Sequence, residues 1–208
     1  MSHSPTPLRK AGMLLRQLTW LLRLPPRVAL FYVRAVARAL RRRDRWTLAV
    51  VTRPRELARL VHLAGGRRVI VEAGTASGWT AAALALAEPG CRVVTLDPEV
   101  HPQRDSYLGL LPAAARGRVE LVSAGVEEGP AAAGANGASP VEMLFLDGPH
   151  DREPTRAAFE AWRGALAPGA VVAFHDYGDP DYPGVAEAVE ELGLEGEAHG
   201  TLFLWRNG

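Results

Sequence analysis

After residue 52 the chain repeats one arrangement: an apolar, β-branched run, a turn, then an Ala/Leu-rich stretch long enough for a helix. Strands buried on both faces read as near-continuous apolar runs, and parallel neighbours need a helical crossover between them. The repeat therefore predicts a doubly wound α/β domain whose mostly parallel sheet is covered by helices on both sides. Strands are expected near 68–73, 92–97, 119–123, 142–147 and 170–175, and helices near 53–64, 78–88, 102–115, 152–166 and 183–193. The closing run, Thr201–Arg206, is expected to pair antiparallel at or near the sheet edge. Residues 128–140 are rich in Gly, Ala and Pro and read as a surface loop with a partial helix.

A chain of 208 residues with 48% hydrophobic content can bury a core of this kind without disulfides. Its single cysteine, Cys91, cannot form an internal bridge and gives no sign of a Cys-based metal site. That usage fits a reducing compartment, so a cytoplasmic protein is expected.

The net charge of +1 hides an asymmetry. Residues 1–46 carry eleven of the 24 basic residues and one acid, Asp44; the remainder holds thirteen bases against 22 acids. The chain thus divides into a basic extension, 1–46, and an acidic α/β domain, 47–208. In the extension, Arg16, Arg23, Arg27, Arg34, Arg38, Arg41 and Arg45 recur at helical spacing, and Pro25–Pro26 should divide the segment into two amphipathic helices. Arginines interrupt every apolar stretch, so neither a membrane span nor a signal peptide is expected. The apolar face is expected to pack on the main domain or on a second subunit, giving a homo-oligomer; peripheral contact with an anionic membrane is the alternative.

In doubly wound sheets, ligands bind beyond the carboxyl ends of the strands. Glu72, Asp97, Asp147 and the pair His175–Asp176 all fall at or just after expected strand ends. The first turn reads Glu72-Ala73-Gly74-Thr75-Ala76-Ser77-Gly78-Trp79. Gly74 would let the backbone turn sharply and approach a ligand, and Gly78 would start the next helix close to the strand. The Gly-x-Gly-x-x-Gly order of a dinucleotide site is absent, which argues against a nicotinamide oxidoreductase. Asp97, ending the second strand, can accept hydrogen bonds from both hydroxyls of a ribose. Glu72 could meet the cationic amino end of a ligand or cap local backbone donors. Trp79 could cover a ligand or pack the first helix.

These residues resemble the class I S-adenosylmethionine-dependent methyltransferases. The version here, Glu-Ala-Gly-Thr-Ala-Ser-Gly-Trp-Thr, looks more like the catechol and caffeoyl-CoA type of small-molecule O-methyltransferase and its bacterial antibiotic-tailoring relatives; Ala76 departs from the general pattern. The resemblance spans roughly residues 50–206 and implies a Rossmann-like, seven-stranded, mostly parallel sheet with an antiparallel C-terminal strand. It also implies that S-adenosyl-L-methionine is held by Glu72, Gly74, Thr75, Ser77 and Gly78 at its methionine end, by Asp97 at the ribose, and near Ser123–Glu127 at the adenine, with Asp147 beside it.

By the same resemblance, Asp147 and the pair His175–Asp176 would hold a divalent cation, Mg²⁺ or another, that orients and acidifies the acceptor oxygen. His175 departs from an all-oxygen Mg²⁺ site, since imidazole suits borderline metals better. The bland alternative is that His175 and Asp176 end the strand and bind backbone donors. His150, three residues after Asp147, could act as a general base, because imidazole changes protonation near neutrality, or it could sit at a helix N-terminus. Tyr177, Tyr182 and the turn Asp179-Pro180-Asp181 could wall the acceptor pocket.

The expected activity is methyl transfer to a small hydroxylated acceptor. Nucleic acid is a weaker candidate, because no signature for a flipped base occurs and the acidic domain would repel phosphate. A cofactor-binding protein without catalysis, docking through its basic extension, is the rival of another class.

Overall fold

The structure, a computed structural model, describes residues 19–132, 140–148 and 150–208. The first expected N-terminal helix falls mostly outside these residues, as do Arg16, Pro149 and most of the 128–140 loop.

Seven strands form one sheet: β1 (Val69–Ala73), β2 (Arg92–Leu96), β3 (Val119–Val122), β4 (Val141–Leu146), β5 (Leu166–Phe174), β6 (Gly196–His199) and β7 (Leu202–Arg206). Their order is β3-β2-β1-β4-β5-β7-β6. The first five are parallel, and β7 runs antiparallel between β5 and β6. The closing run therefore lies one strand in from the edge. β6 was not legible beforehand, because Gly-Glu-Ala-His carries no apolar run; it is an exposed edge strand paired with β7.

Nine helices are described: α1 (Pro26–Arg42), α2 (Arg45–Val50), α3 (Pro54–Ala64), α4 (Trp79–Ala87), α5 (Arg104–Leu108), α6 (Ala113–Arg116), α7 (Gly129–Ala132), α8 (Arg152–Arg163) and α9 (Pro183–Glu191). The helix expected over 102–115 is two short ones, since Pro112 cannot continue a helix begun upstream. Likewise the basic helix stops at Arg43, which takes a left-handed φ of 56°, and Asp44 caps α2 by accepting from the Thr47 amide at 3.0 Å.

Alternation along the strands sorts the core. Ile70, Val93, Met143 and Val171 face one side with α1, α3 and α4, while Val71, Val94, Leu144 and Val172 face α8 and α9. Helix α4 is built mainly of Ala and Leu and is buried nearly all round, packed between β2 and β3 on one side and α1 and α3 on the other. Only small side chains let a helix be approached so closely from both sides. Against it α1 buries Val28, Phe31, Tyr32, Ala35 and Ala39. Its arginines are not all in water: Arg38 donates to the Ser106 carbonyl and Arg42 to the Gln103 side chain at 2.5 Å. Leu22, Leu30, Val33 and Leu40 remain exposed on the outside. No helix among the described residues is long and apolar enough to cross a membrane.

Sequential order reverses between β1 and β4: β2 and β3 lie to one side, β5 to the other. That reversal is where the two loops leaving the sheet diverge and a ligand crevice opens.

Candidate active site

A cleft of about 1350 Å³ lies at this switch point. Of the residues expected to form a site, Gly74, Asp97, Asp147, His150, His175 and Asp176 line it. Glu72, Thr75, Ser77 and Gly78 do not; they are buried.

The turn after β1 is fixed from two sides. The amides of Gly74 and Thr75 both donate to the Leu96 carbonyl, at 2.8 and 3.2 Å, and the Asp147 amide donates to the Ala73 carbonyl at 2.8 Å. Gly74 has φ of 106°, and Gly78, at 77°, packs against Leu108 just before α4. Ala76 also takes a positive φ, 44°, and its amide donates to Asp97 Oδ2 at 2.9 Å. Asp97 Oδ1 accepts from the Glu99 amide at 2.9 Å. One carboxylate thus fastens both loops and still presents free lone pairs to the cleft.

Glu72 is buried, 1% exposed, and points under the loop. Thr95 Oγ1 donates to it, Thr75 and Thr95 share a hydrogen bond of 2.7 Å, and the Ala81 amide in the first turn of α4 also donates. Burial pushes the Glu72 carboxyl up to about 8, against the Thr95 hydrogen bond and helped by the charges of Asp147 and Asp97. The geometry is that of local capping. Trp79 likewise belongs to the core, edge-on to Phe31, Tyr32 and Tyr107.

On the β4–β5 side, His175 stands among three carboxylates. Nδ1 is 2.7 Å from Asp147 Oδ1 and 3.2 Å from Asp176 Oδ2, and Nε2 is 3.5 Å from Glu56 Oε2. These are ion-pair distances without hydrogen-bond alignment at either ring nitrogen. Burial disfavours the charged ring, yet the Asp147 charge, with Asp176 and Glu56, pushes it up to about 12. Asp176 has a left-handed φ of 57° that turns its side chain back toward the cleft. Despite burial, pairing with His150 and His175 holds its carboxyl well below the usual range. His150 Nε2 lies 3.1 Å from Asp176 Oδ2, and its ring rests on Tyr182, centroids 4.4 Å apart. Asp179, Asp181 and Tyr182 line the cleft, whereas Tyr177 packs on Phe203.

Glu56 went unread in the sequence. It is buried near the start of α3, closes a capping box with the Arg53 amide at 3.3 Å, and accepts from Thr201 Oγ1 at 2.7 Å. The capping geometry was the one signal that could have found it, and Arg at the N-cap disguised it. Trp46, exposed at the start of α2, was also missed; it stacks on His101 at 4.3 Å over the cleft rim.

Residues 71–177, half the chain, match a family model described as a methyltransferase domain. The chain belongs to this methyltransferase family. It is a class I S-adenosylmethionine-dependent methyltransferase domain, and the matched segment runs from within β1 to just past β5. Among solved structures, it is similar to CalS11, a TDP-rhamnose 3′-O-methyltransferase of calicheamicin biosynthesis, at 21% identity over 100% of this chain and 97% of that one, with a TM-score of 0.63. An O-methyltransferase from Bacillus cereus in complex with SAH matches at 21% identity, covering 83% and 90% of the two chains, TM-score 0.62. MycE, a methyltransferase of the mycinamycin pathway in complex with Mg and SAH, matches at 12% identity over 71% of this chain and 47% of that one, TM-score 0.54. At these identities the three share the fold. No curated protein matches the chain.

Proposed function

We propose that this methyltransferase O-methylates a small hydroxylated molecule bound between Asp147, His150 and Tyr182. The observation that carries the reading is the split cleft: a carboxylate suited to a ribose, Asp97, lies at the ends of β2 and β1, and an acid–imidazole cluster lies at the ends of β4 and β5. S-adenosylmethionine supplies an electrophilic methyl group on a sulfonium. Asp97 accepts the ribose hydroxyls, Gly74 leaves backbone open to the methionine end, and the Gly125–Glu128 segment walls the adenine. Glu72, Thr75, Ser77 and Gly78 act from below by holding the turn.

Transfer to an oxygen is an in-line displacement, so the enzyme must hold the acceptor close and take its proton. His150 is the group placed for that: Asp176 orients its Nε2 side, Tyr182 supports its face, and a third of its side chain is open to the cleft. Once charged, the imidazolium is stabilised by Asp176.

Asp147, His175 and Asp176 fit a divalent cation. Their nearest ligand atoms are 2.7 and 3.2 Å apart, close to the roughly 3 Å between neighbouring donors of an octahedral ion with bonds of about 2.1 Å. Two carboxylates and an imidazole suit Mn²⁺, Fe²⁺ or Zn²⁺ better than Mg²⁺. A bound cation would polarise the acceptor oxygen, and His175 would then serve as a neutral ligand.

The test is calorimetry with S-adenosylhomocysteine, followed by mass spectrometry of hydroxylated acceptors for gain of a methyl group. His150→Ala should lower turnover far more than cofactor affinity; equal loss of both, or no uptake of S-adenosylhomocysteine by folded protein, overturns the reading. Chelator-stripped protein should regain activity with Mn²⁺ if the cation takes part, and full activity in chelator removes it from the mechanism.

A further inference from the structure

Eight large apolar side chains are exposed among the described residues, and they fall in two places. Trp46, Val50, Val100 and Tyr182 line the cleft. The other four do not: Leu22, in the turn before α1, and Leu30, Val33 and Leu40 on α1 itself are 54–86% exposed. Leu30, Val33 and Leu40 recur at steps of three and seven and so form one row, opposite the face that buries Phe31, Tyr32 and Ala35. Arg27, Arg34 and Arg41, each seven apart, form a second row beside it. All three are exposed and none forms an ion pair among the described residues, whereas Arg38 and Arg42 turn to the main domain. No acid occurs between Pro26 and Arg42.

A contiguous apolar row on the outside of a protein marks an interaction surface, and the arginines beside it limit what can cover it. A second α1 is a poor match, because a two-fold contact through this face would gather arginines with no acid to meet them. The acidic part of a second copy offers charge, but its remaining exposed large apolar side chains line the cleft, so a head-to-tail contact matched on both counts would plug the active site. Nucleic acid would satisfy the arginines and leave the Leu/Val row unmatched. An anionic bilayer supplies both halves at once: acyl chains for the apolar row and headgroup phosphates for the arginines. The charge of the whole chain favours the same pose, since residues 1–46 hold eleven basic residues against one acid while 22 of the 23 acids lie beyond them.

We infer that the outer face of α1 docks on an anionic phospholipid surface, with Leu30, Val33 and Leu40 entering the headgroup boundary and Arg27, Arg34 and Arg41 meeting headgroup phosphates. The contact is peripheral, since no described helix is long and apolar enough to cross a membrane. It is independent of which acceptor the cleft takes.

The test is co-sedimentation of the full-length protein with vesicles of phosphatidylcholine alone and of phosphatidylcholine mixed with phosphatidylglycerol. Affinity for the mixed vesicles should exceed that for the neutral ones by about tenfold or more and weaken as salt is raised. Leu30→Ser/Val33→Ser/Leu40→Ser and Arg27→Gln/Arg34→Gln/Arg41→Gln should each lose about tenfold or more of that affinity. Both sets lie outside the cleft, so S-adenosylhomocysteine binding should stay at the wild-type level; if the apolar variant fails to fold, the arginine variant, which disturbs no packing, decides. The inference is overturned if wild-type protein does not prefer the anionic vesicles, if a folded variant binds them as wild type does, or if wild-type protein is a dimer in solution that the apolar variant dissociates.

Discussion

Gly74 and Asp147 meet backbone to backbone: a Cβ added at Gly74 would lie 2.1 Å from the Asp147 carbonyl oxygen. The turn after β1 and the loop that carries Asp147 are therefore one packed unit at the switch point of the sheet.

Gly74→Ala should be among the most damaging single changes in the chain. It combines a clash with rigid backbone and a φ of 106° that L side chains rarely adopt. Urea denaturation should show a loss of about 3 kcal/mol or more, from strain and overpacking together. S-adenosylhomocysteine binding should fall with it, since the turn cannot relax without moving Asp147.

Asp97→Asn keeps the shape of the side chain and removes its charge. Replacing charged acceptor bonds to the ribose by neutral ones should weaken S-adenosylhomocysteine binding by about 1.5–3 kcal/mol. Asp97→Ala should be worse, because the Ala76 amide also loses its partner. Calorimetry reads both, and thermal melting should show a smaller effect for Asn than for Ala.

Glu72 sets a pH dependence. Its folded value, raised to about 8, exceeds the ordinary carboxyl value of 4.5, so the native state keeps a proton that the unfolded chain has released between those limits. The contribution is fully present below the unfolded value and is lost as pH rises through about 8, with a slope of at most about 1.4 kcal/mol per pH unit. Glu72→Gln should therefore gain stability relative to wild type as pH rises from 5 to 8. A constant difference across that range would mean the carboxyl is ionised in the folded protein.

The basic extension should prove structural where it touches the core. Phe31 is 4% exposed and edge-on to Trp79, so Phe31→Ala should cost about 3–5 kcal/mol in urea denaturation. Leu30→Ala, on the exposed face of the same helix, should cost under about 0.5 kcal/mol. Loss of self-association in Leu30→Ala, read by sedimentation, would identify that face as a subunit contact.

The layered fold was legible because its evidence is local. The parallel strands β1, β2, β4 and β5 each write their burial into four or five consecutive residues, and Gly74, Asp97, Asp147 and His175 follow those runs directly. Less legible were features that depend on partners. β6 has no apolar pattern of its own and exists through β7. Trp79 and Glu72 sit in the signature turn, yet the direction of each side chain depends on α1 and α4 closing over that face.

From the chain alone came the alternation that dictates an α/β sheet, the turn that resembles a methyltransferase, and the acids at the strand ends, all matters of short-range periodicity and backbone preference. Tertiary structure decided which of them meet. Glu56 and His175 are brought to 3.5 Å across most of the domain, Asp176 is shared between His150 and His175, and Asp179 and Asp181 form no ion pair among the described residues. Contacts of that separation arise from strand order and helix packing, which gather like charges that no local pattern records.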